Sequence, residues 1–369
     1  MKVLITGSNG FVAKNLIEHL KRKEDIELYL FSKKDSLNLL EAYVTEADFI
    51  FHLAGVNRPE NIGEFYEGNS NLTKKIVSIL QKNNKTTPIV LSSSTQATLD
   101  NDYGKSKKEA EDILLEYSNS STASIYIYRL PNVFGKWCKP NYNSVIATWC
   151  YNITHDMQIQ VNNRDIELNL VYIDDVVDSF ISSLTANTER KYVEIPTIYK
   201  KTLGEIEELL FQFKNNRTSL IIPHVAHGFE RALYATYLSY LPNNSFSYEL
   251  HGHQDERGTF YEILKTLDSG QFSLSTTAPG VTRGNHYHHT KNEKFLVVKG
   301  EALIEFRHIS TDEIVQYKVS DKKMEIVEMI PGYTHNITNI GSEEMILFLW
   351  ANETFDSNNP DTYFLEVNK

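Results

Sequence analysis

The sequence predicts two successive folds: a doubly wound parallel α/β sheet over residues 1–243, then an all-β barrel over residues 250–369. Three observations carry this expectation. Short apolar strands alternate with amphipathic helices as far as about residue 242. A glycine-bearing turn, "TGSNG", follows the first strand at once. After residue 250 the helical period gives way to short strands joined by Gly, Asp and Ser turns. Alternating strand and helix require crossover connections and a sheet covered on both faces. Closely spaced strands suit a small barrel or jelly roll.

In the first region "KVLIT" (2–6), "ELYLF" (27–31), "DFIFHLA" (48–54), "PIVLSS" (88–93) and "SIYIYRL" (124–130) read as buried strands. Helical stretches lie near 10–23, 63–83, 103–118 and 224–240, and "LPNNS" then marks a boundary. In the second region the strands are "TFYEILKT", "QFSLSTTA", "KFLVVKGEALIEFRHI", "EIVQYKVS", "MEIVEMI" and "EMILFLW". No internal repeat is evident.

The bulk composition, 41% apolar and 23% charged, is that of a soluble globular protein. A formal net charge of −11 argues against nucleic acid as the main partner. Cys138 and Cys150 are too few for a disulfide framework and fit a reducing compartment. No apolar run approaches the ~18 residues of a membrane span, and "KVLIT" is too short for a signal-peptide core. The expectation is a cytoplasmic protein, without membrane insertion, that handles small molecules.

In "ITGSNGFVA", Gly7 and Gly10 sit between a strand and a helix, so the backbone can approach a pyrophosphate held at the helix N-terminus. The expected dinucleotide contacts are Gly7, Ser8, Asn9, Gly10, Phe11 and Val12, with Ala13 as the third small residue and Ala54 after a later strand. Where NAD sites carry an acid for the ribose 2′-hydroxyl, this chain has Ser32, Lys33 and Lys34, a set that suits the 2′-phosphate of NADPH. Tyr103 and Lys107 are four residues apart and share a helix face, where the ammonium is expected to lower the phenol's pKa. Ser94, of the three serines 92–94, would orient the substrate oxygen. Tyr103 would then donate a proton to an oxyanion.

These segments, with "FHLAG", "YGKSK", "RLPNVFG" and "LVYIDDVV", resemble the extended short-chain dehydrogenase/reductases of the Rossmann type that act on nucleotide sugars. The resemblance covers most of residues 1–240. It implies the Ser94–Tyr103–Lys107 set, and Arg129, Asn132, Asn141, Asn143 and Arg164 as substrate contacts. Two features depart from the family. Tyr103 follows Ser94 by only nine positions, and Thr95-Gln96 stands where the dehydratases of the family have Asp-Glu. The second departure favours simple hydride transfer over loss of water.

Seven of the twelve histidines follow residue 250. His286-x-His288, Glu293 and His335 offer three imidazoles and a carboxylate, which strand alternation and a returning strand would bring to one face. Such a set suits a divalent metal, with zinc, iron, manganese and nickel all open. The run from Gly280 to Gly300 and "PGYTHNITN" resemble the cupin family. "DERGTFYE" and "TRGNHYH" look like the cupin-type sugar 3,5-epimerases, in which the residue matching His286 is a base. A metal ligand cannot also be a free base, so Tyr333, His288 or an acid stays open for that role.

Taken whole, the chain resembles the bifunctional epimerase–reductases of bacterial capsular polysaccharide synthesis. That resemblance implies a UDP-linked 4-keto-6-deoxy amino sugar, C3 epimerisation in the cupin, C4 reduction by NADPH, a zinc ion and a homodimer. The implied product is UDP-2-acetamido-2,6-dideoxy-L-talose, a precursor of UDP-N-acetyl-L-fucosamine. The alternative is a nucleotide-sugar 4-ketoreductase with a non-catalytic sugar-binding cupin.

Overall fold

A computed structural model describes residues 1–186, 191–356, 358 and 360–368. Contacts divide the chain into two compact units, Met1–Leu210 with His227–Pro242, and Phe211–Ala226 with Asn243–Lys369.

The first unit begins β1 (Lys2–Thr6), α1 (Phe11–Leu20), β2 (Glu27–Phe31), α2 (Leu37–Glu46) and β3 (Phe49–His52). A short α3 (Gly63–Tyr66) runs through a π-helical turn, Glu67–Asn71, into α4 (Leu72–Lys82). Then follow β4 (Ile89–Ser94), α5 (Asp102–Ser121) and β5 (Ile125–Leu130). The five strands pair in parallel in the order β2-β1-β3-β4-β5. The order reverses between β1 and β3, and ligands of open α/β sheets bind at the carboxyl ends of strands at such a switch point. Alternate side chains of each strand feed opposite faces. Val3 and Ile5 pack with Leu16 and Leu20 of α1, while Leu4 packs with Leu40, Leu80 and Leu114 on the other side.

Beyond it, β6 (Asn132–Phe134), α6 (Val145–Thr154), β7 (Glu167–Tyr172), α7 (Ile173–Ser182) and β8 (Tyr199–Thr202) include a small three-stranded sheet, β6-β7-β8. The unit boundary falls inside α8 (Leu203–Ser219). The sequence reading placed residues 211–226 with the first domain. Their contacts place them in the second unit, because β9 (Ile221–Ile222) pairs in parallel with Lys265 and Thr266. Helix α9 (Gly228–Leu238) returns to the first unit.

The second unit is antiparallel apart from β9. Its strands are β10 (Gly252–Asp255), β11 (Gly258–Thr266), β12 (Gln271–Thr277), β13 (Thr282–Tyr287), β14 (Glu293–Lys299) and β15 (Glu301–His308). They continue as β16 (Ile314–Ser320), β17 (Ile326–Met329), β18 (Tyr333–Asn339), β19 (Met345–Ala351) and β20 (Tyr363–Phe364). One sheet runs β10-β11-β12-β19-β14-β17 and the other β16-β15-β18-β13-β20. Phe295, Val297 and Leu347 of the first meet Ile304, Phe306 and Ile337 of the second in a shared core. No described helix is long and apolar enough to cross a membrane.

Candidate functional site

The first unit's site is built at the ends of β1, β3 and β4. Gly7 has φ +69°, and a Cβ there would lie 2.7 Å from the Ala54 Cα, so only glycine lets these two turns meet. Gly10 closes the turn by donating its N–H to the Gly7 carbonyl at 2.7 Å. No side chain caps α1, so its first N–H groups are open to an anion.

Buried polar groups hold the turn after β3. His52 joins Thr6 (2.7 Å) to Thr73 (2.9 Å), and the Ala54 N–H donates to the Thr6 hydroxyl at 3.2 Å. Burial, assisted by the Lys107 charge, pushes the imidazole pKa down to about 3, so His52 is neutral. Asn69, in the π-helical turn, accepts from the Val56 N–H (3.0 Å) and donates to the Val56 carbonyl (3.1 Å) and Ser106 (2.9 Å). Sequence reasoning missed Asn69. The only signal for it was a polar run, "EGNSN", inside an otherwise amphipathic helix.

Helix α5 delivers Tyr103 and Lys107. Asn101 caps it by accepting the Gly104 N–H at 2.8 Å. One turn on, the buried Lys107 Nζ donates to the Ser92 carbonyl at 3.0 Å. Burial lowers the ammonium's pKa to about 8, against an opposing pull from Glu111. The expected lowering of the Tyr103 pKa is reversed. Burial raises it, and a hydrogen bond with Ser94 offsets only part of the rise. The phenol is therefore a protonated donor at neutral pH.

Ser94, Tyr103 and Lys107 line one cleft of about 1400 Å³, together with Asn9, Gly10, Phe11, Val12, Asn132 and Asn143. Trp137, Tyr142 and Tyr240 also line it and were not anticipated. Ser8, Asn141 and the pair Lys33 and Lys34 are not among the lining residues. Ser32 donates through N–H and hydroxyl to Asp35 (2.7 and 2.8 Å), which puts a carboxylate near the expected ribose position.

The two arginines that the resemblance implied as substrate contacts are both ion-paired. Arg129 is held bidentate by the buried Glu111 (3.0 and 2.6 Å), and its guanidinium lies over the Tyr192 ring. Arg164 is paired with Glu207 and Glu208 on α8. Neither lines the cleft.

In the second unit, His286, His288, Glu293 and His335 converge, their ligand atoms all within 4.8 Å of one another. The register of β13 against β18 slips between Gly284 and His286, with Asn285 at φ +59°. This bulge sets Arg283 opposite Ile337 and His286 opposite His335, so both turn towards the interior. His289 is exposed. Glu293 Oε2 lies 3.6 Å from Nε2 of both His288 and His335. Burial opposes its charge, but the two histidines and Lys291 hold its carboxyl well below the usual range. Burial and the His335 charge lower His286 to about 4.

The donor set fits a divalent cation. His288 Nε2 and both nitrogens of His335 are buried without a hydrogen-bond partner, a costly state for polar atoms that a metal would relieve. The 3.6 Å spacings approach the edge of about 3.4 Å expected for tetrahedral bonds of about 2.1 Å.

Two further features escaped sequence reasoning. Gln271, Ser273, Ser275 and Thr277 form a wholly polar buried face of β12. Arg283 donates to the Thr277 hydroxyl (3.2 Å) and the Thr276 carbonyl (3.1 Å). The alternation of "QFSLSTT" was legible, but it reads equally as an apolar face turned inward.

Residues 3–195 match the NAD dependent epimerase/dehydratase family, and residues 253–363 match the polysaccharide biosynthesis C-terminal domain. UDP-2-acetamido-2,6-beta-L-arabino-hexul-4-ose reductase of Pseudomonas aeruginosa is 50% identical over 368 residues, which is 100% of this chain and 99% of that protein. The crystal structure of capsular polysaccharide assembling protein CapF from Staphylococcus aureus is 50% identical, with TM-score 0.93 over 100% of both chains. UDP-glucuronic acid 4-epimerase from Bacillus cereus, in complex with NAD, shares the fold alone at 13% identity. Its TM-score is 0.56, over 65% of this chain and 98% of that one. With both of its sites built on matched segments, the chain belongs to the NAD dependent epimerase/dehydratase family and carries a polysaccharide biosynthesis C-terminal domain.

Proposed function

We propose that the chain is a bifunctional nucleotide-sugar enzyme of capsular polysaccharide synthesis. Its second unit epimerises C3 of a UDP-2-acetamido-2,6-dideoxy-4-hexulose, and its first unit reduces the C4 ketone with NADPH. The product is UDP-2-acetamido-2,6-dideoxy-L-talose. The observation that carries this reading is full-length 50% identity to a UDP-hexulose reductase, in a chain whose Tyr103, Lys107 and Ser94 line one cleft.

When bound, a reduced nicotinamide supplies hydride, and a divalent ion supplies polarisation of the C4 carbonyl. The chain's own groups do the rest. Ser94 orients the C4 oxygen, and Tyr103 gives it the phenolic proton. Lys107, held by the Ser92 carbonyl, favours the phenolate left behind. In the second unit His286, His288, Glu293 and His335 would hold the ion, for which the sequence resemblance implies zinc. Arg283 and the polar face of β12 offer donors to the sugar.

NADPH is favoured by Lys33 and Lys34 and opposed by Asp35, so rates with NADPH and NADH compared directly test the choice. A homodimer is supported by exposed apolar side chains on and beside β17, Met324 and Ile326, each 61% accessible. Free Cys138 and Cys150 suit the cytoplasm.

The test is turnover of UDP-2-acetamido-2,6-dideoxy-β-L-arabino-4-hexulose with NADPH in deuterated water. Deuterium at C3 of the reduced product is the expected result. Reduction without C3 label would leave a plain ketoreductase and remove the epimerase half of the proposal.

A further inference from the structure

His288 differs from its neighbour His335 in how it is held. Neither ring nitrogen of His335 has a hydrogen-bond partner, although Nε2 lies 3.6 Å from Glu293 Oε2, and the ring packs near Phe295 and Phe306, each with its centroid 6.2 Å away. His288 Nδ1 instead lies 2.5 Å from the main-chain carbonyl oxygen of Asp361. A carbonyl oxygen only accepts, so Nδ1 carries a proton, and in the neutral ring Nε2 is then the nitrogen with the free lone pair. That Nε2 is the buried, unpartnered atom facing Glu293.

The side chain of Asp361 grips the same region from a second direction. Its carboxylate accepts the N–H groups of His289 (2.9 Å), Thr290 (2.7 Å) and Lys291 (2.8 Å), and the Thr290 hydroxyl (3.0 Å). This is the loop that runs from His288 to Glu293, so it sets the spacing between two members of the cluster. Asp361 is itself fixed by the chain that follows it. In β20, Tyr363 and Phe364 pair with Tyr287 and His286. The Leu365 N–H donates to the Asn285 carbonyl at 2.9 Å, and Arg307 Nε donates to the Val367 carbonyl at 2.9 Å.

We infer that Asp361 is a positioning residue for the His286–His288–Glu293–His335 group. Its carbonyl selects the His288 tautomer, and its carboxylate fixes the loop that spaces His288 from Glu293. The C-terminal segment is thereby a working part of the site. This rests on the reading of the four residues as a metal site. Hydrogen-bonded partners behind a metal's ligands commonly govern affinity by about 10- to 100-fold.

The test measures Zn²⁺ affinity of the full-length protein by competition with a chromophoric chelator, for wild type, Asp361→Asn and Asp361→Ala. The expected result is a loss of about 10-fold or more for Asp361→Ala and a smaller loss for Asp361→Asn, which keeps one acceptor oxygen. A merely structural role would lower the melting temperature of the metal-free variants and leave affinity within about twofold, which overturns the inference. Wild type that takes up none of zinc, ferrous iron, manganese and nickel overturns the metal reading and this inference with it. Should both variants fail to fold, nitrogen NMR of histidine-labelled wild type decides. A proton on His288 Nδ1 with a bare Nε2 supports the inference, and the opposite tautomer ends it.

Discussion

Raising the pH should switch off the reductase through Lys107. Its ammonium is buried against the Ser92 carbonyl and has a pKa of about 8 in place of 10.5, with burial as the first cause. One pH unit to either side of that value changes the protonated fraction from about nine-tenths to about one-tenth. On the proposed roles the charged form stabilises the Tyr103 phenolate, so kcat/KM for the nicotinamide cofactor, which reports groups of the cofactor-free enzyme, should fall about tenfold per unit above pH 8. Glu111 raises the Lys107 pKa, so Glu111→Gln should move the break to lower pH. Stability runs the other way. Between about 8 and 10.5 the unfolded chain binds more protons at this residue than the folded one. The residue's contribution to stability therefore rises with pH by about 3 kcal/mol across that window. Initial rates by nicotinamide absorbance, with melting of wild type and Lys107→Met over the same pH series, separate the two trends. A profile flat to about pH 9.5 would refute the assignment of the buried ammonium to the reaction.

Three other substitutions test neighbouring parts of the structure. Tyr103→Phe should cut NADPH oxidation by about 10²- to 10⁴-fold while deuterium still enters C3 of the substrate; loss of that exchange would mean the two activities are not separable. In Gly104→Ala the new Cβ would lie 2.2 Å from the Gln96 carbonyl oxygen and 2.7 Å from that of Leu99. The first turn of α5 must then move, which should cost about 1–3 kcal/mol in melting and depress kcat through the displaced Tyr103. Wild-type values for both would show that the turn beneath it yields freely. Arg129→Met leaves the buried Glu111 carboxylate without its ion pair and should destabilise by on the order of 3 kcal/mol at unchanged KM for the sugar. A raised KM with normal melting would instead make Arg129 the substrate contact that the resemblance implied.

The five parallel strands were legible because each holds a compact apolar run; β1, β3, β4 and β5 are buried along most of their length, whereas the edge strand β2, expected to be buried, is largely accessible, with Leu30 39% exposed. The small sheet of β6, β7 and β8 was not. Its members carry exposed residues such as Asn132 and Glu167 and find partners far along the chain, so no local period marks them. The metal-type cluster was readable from spacing, since His286 and His288 need only strand alternation and His335 only a returning strand. Asp361 was not readable, because its role comes from a partner 73 residues away and is half main-chain. The Tyr103 expectation failed for a related reason. Helical spacing places a lysine near a phenol, but the sign of the pKa shift is decided by how deeply the fold buries the phenol.

Under the proposed function, the contrast between the two sites explains the order of their reactions. Removing the C3 proton requires a ketone at C4, because only then does the carbanion delocalise onto oxygen. Hydride addition at C4 abolishes that acidity, so reduction cannot precede epimerisation. The proton inventories agree with this division. The cleft of the first unit holds a phenol whose raised pKa keeps its proton for an alkoxide, and Ser94 accompanies it. The second unit holds imidazole that is neutral at pH 7, His286 at about 4, beside a carboxylate kept ionised. Neutral imidazole and an ionised carboxylate are the forms that bind a metal, which would stabilise the enolate oxygen, while the first site stores the proton that its reductive capture needs. Joining them in one chain keeps the activity that forms the C3 epimer and the activity that reduces it in equal amount.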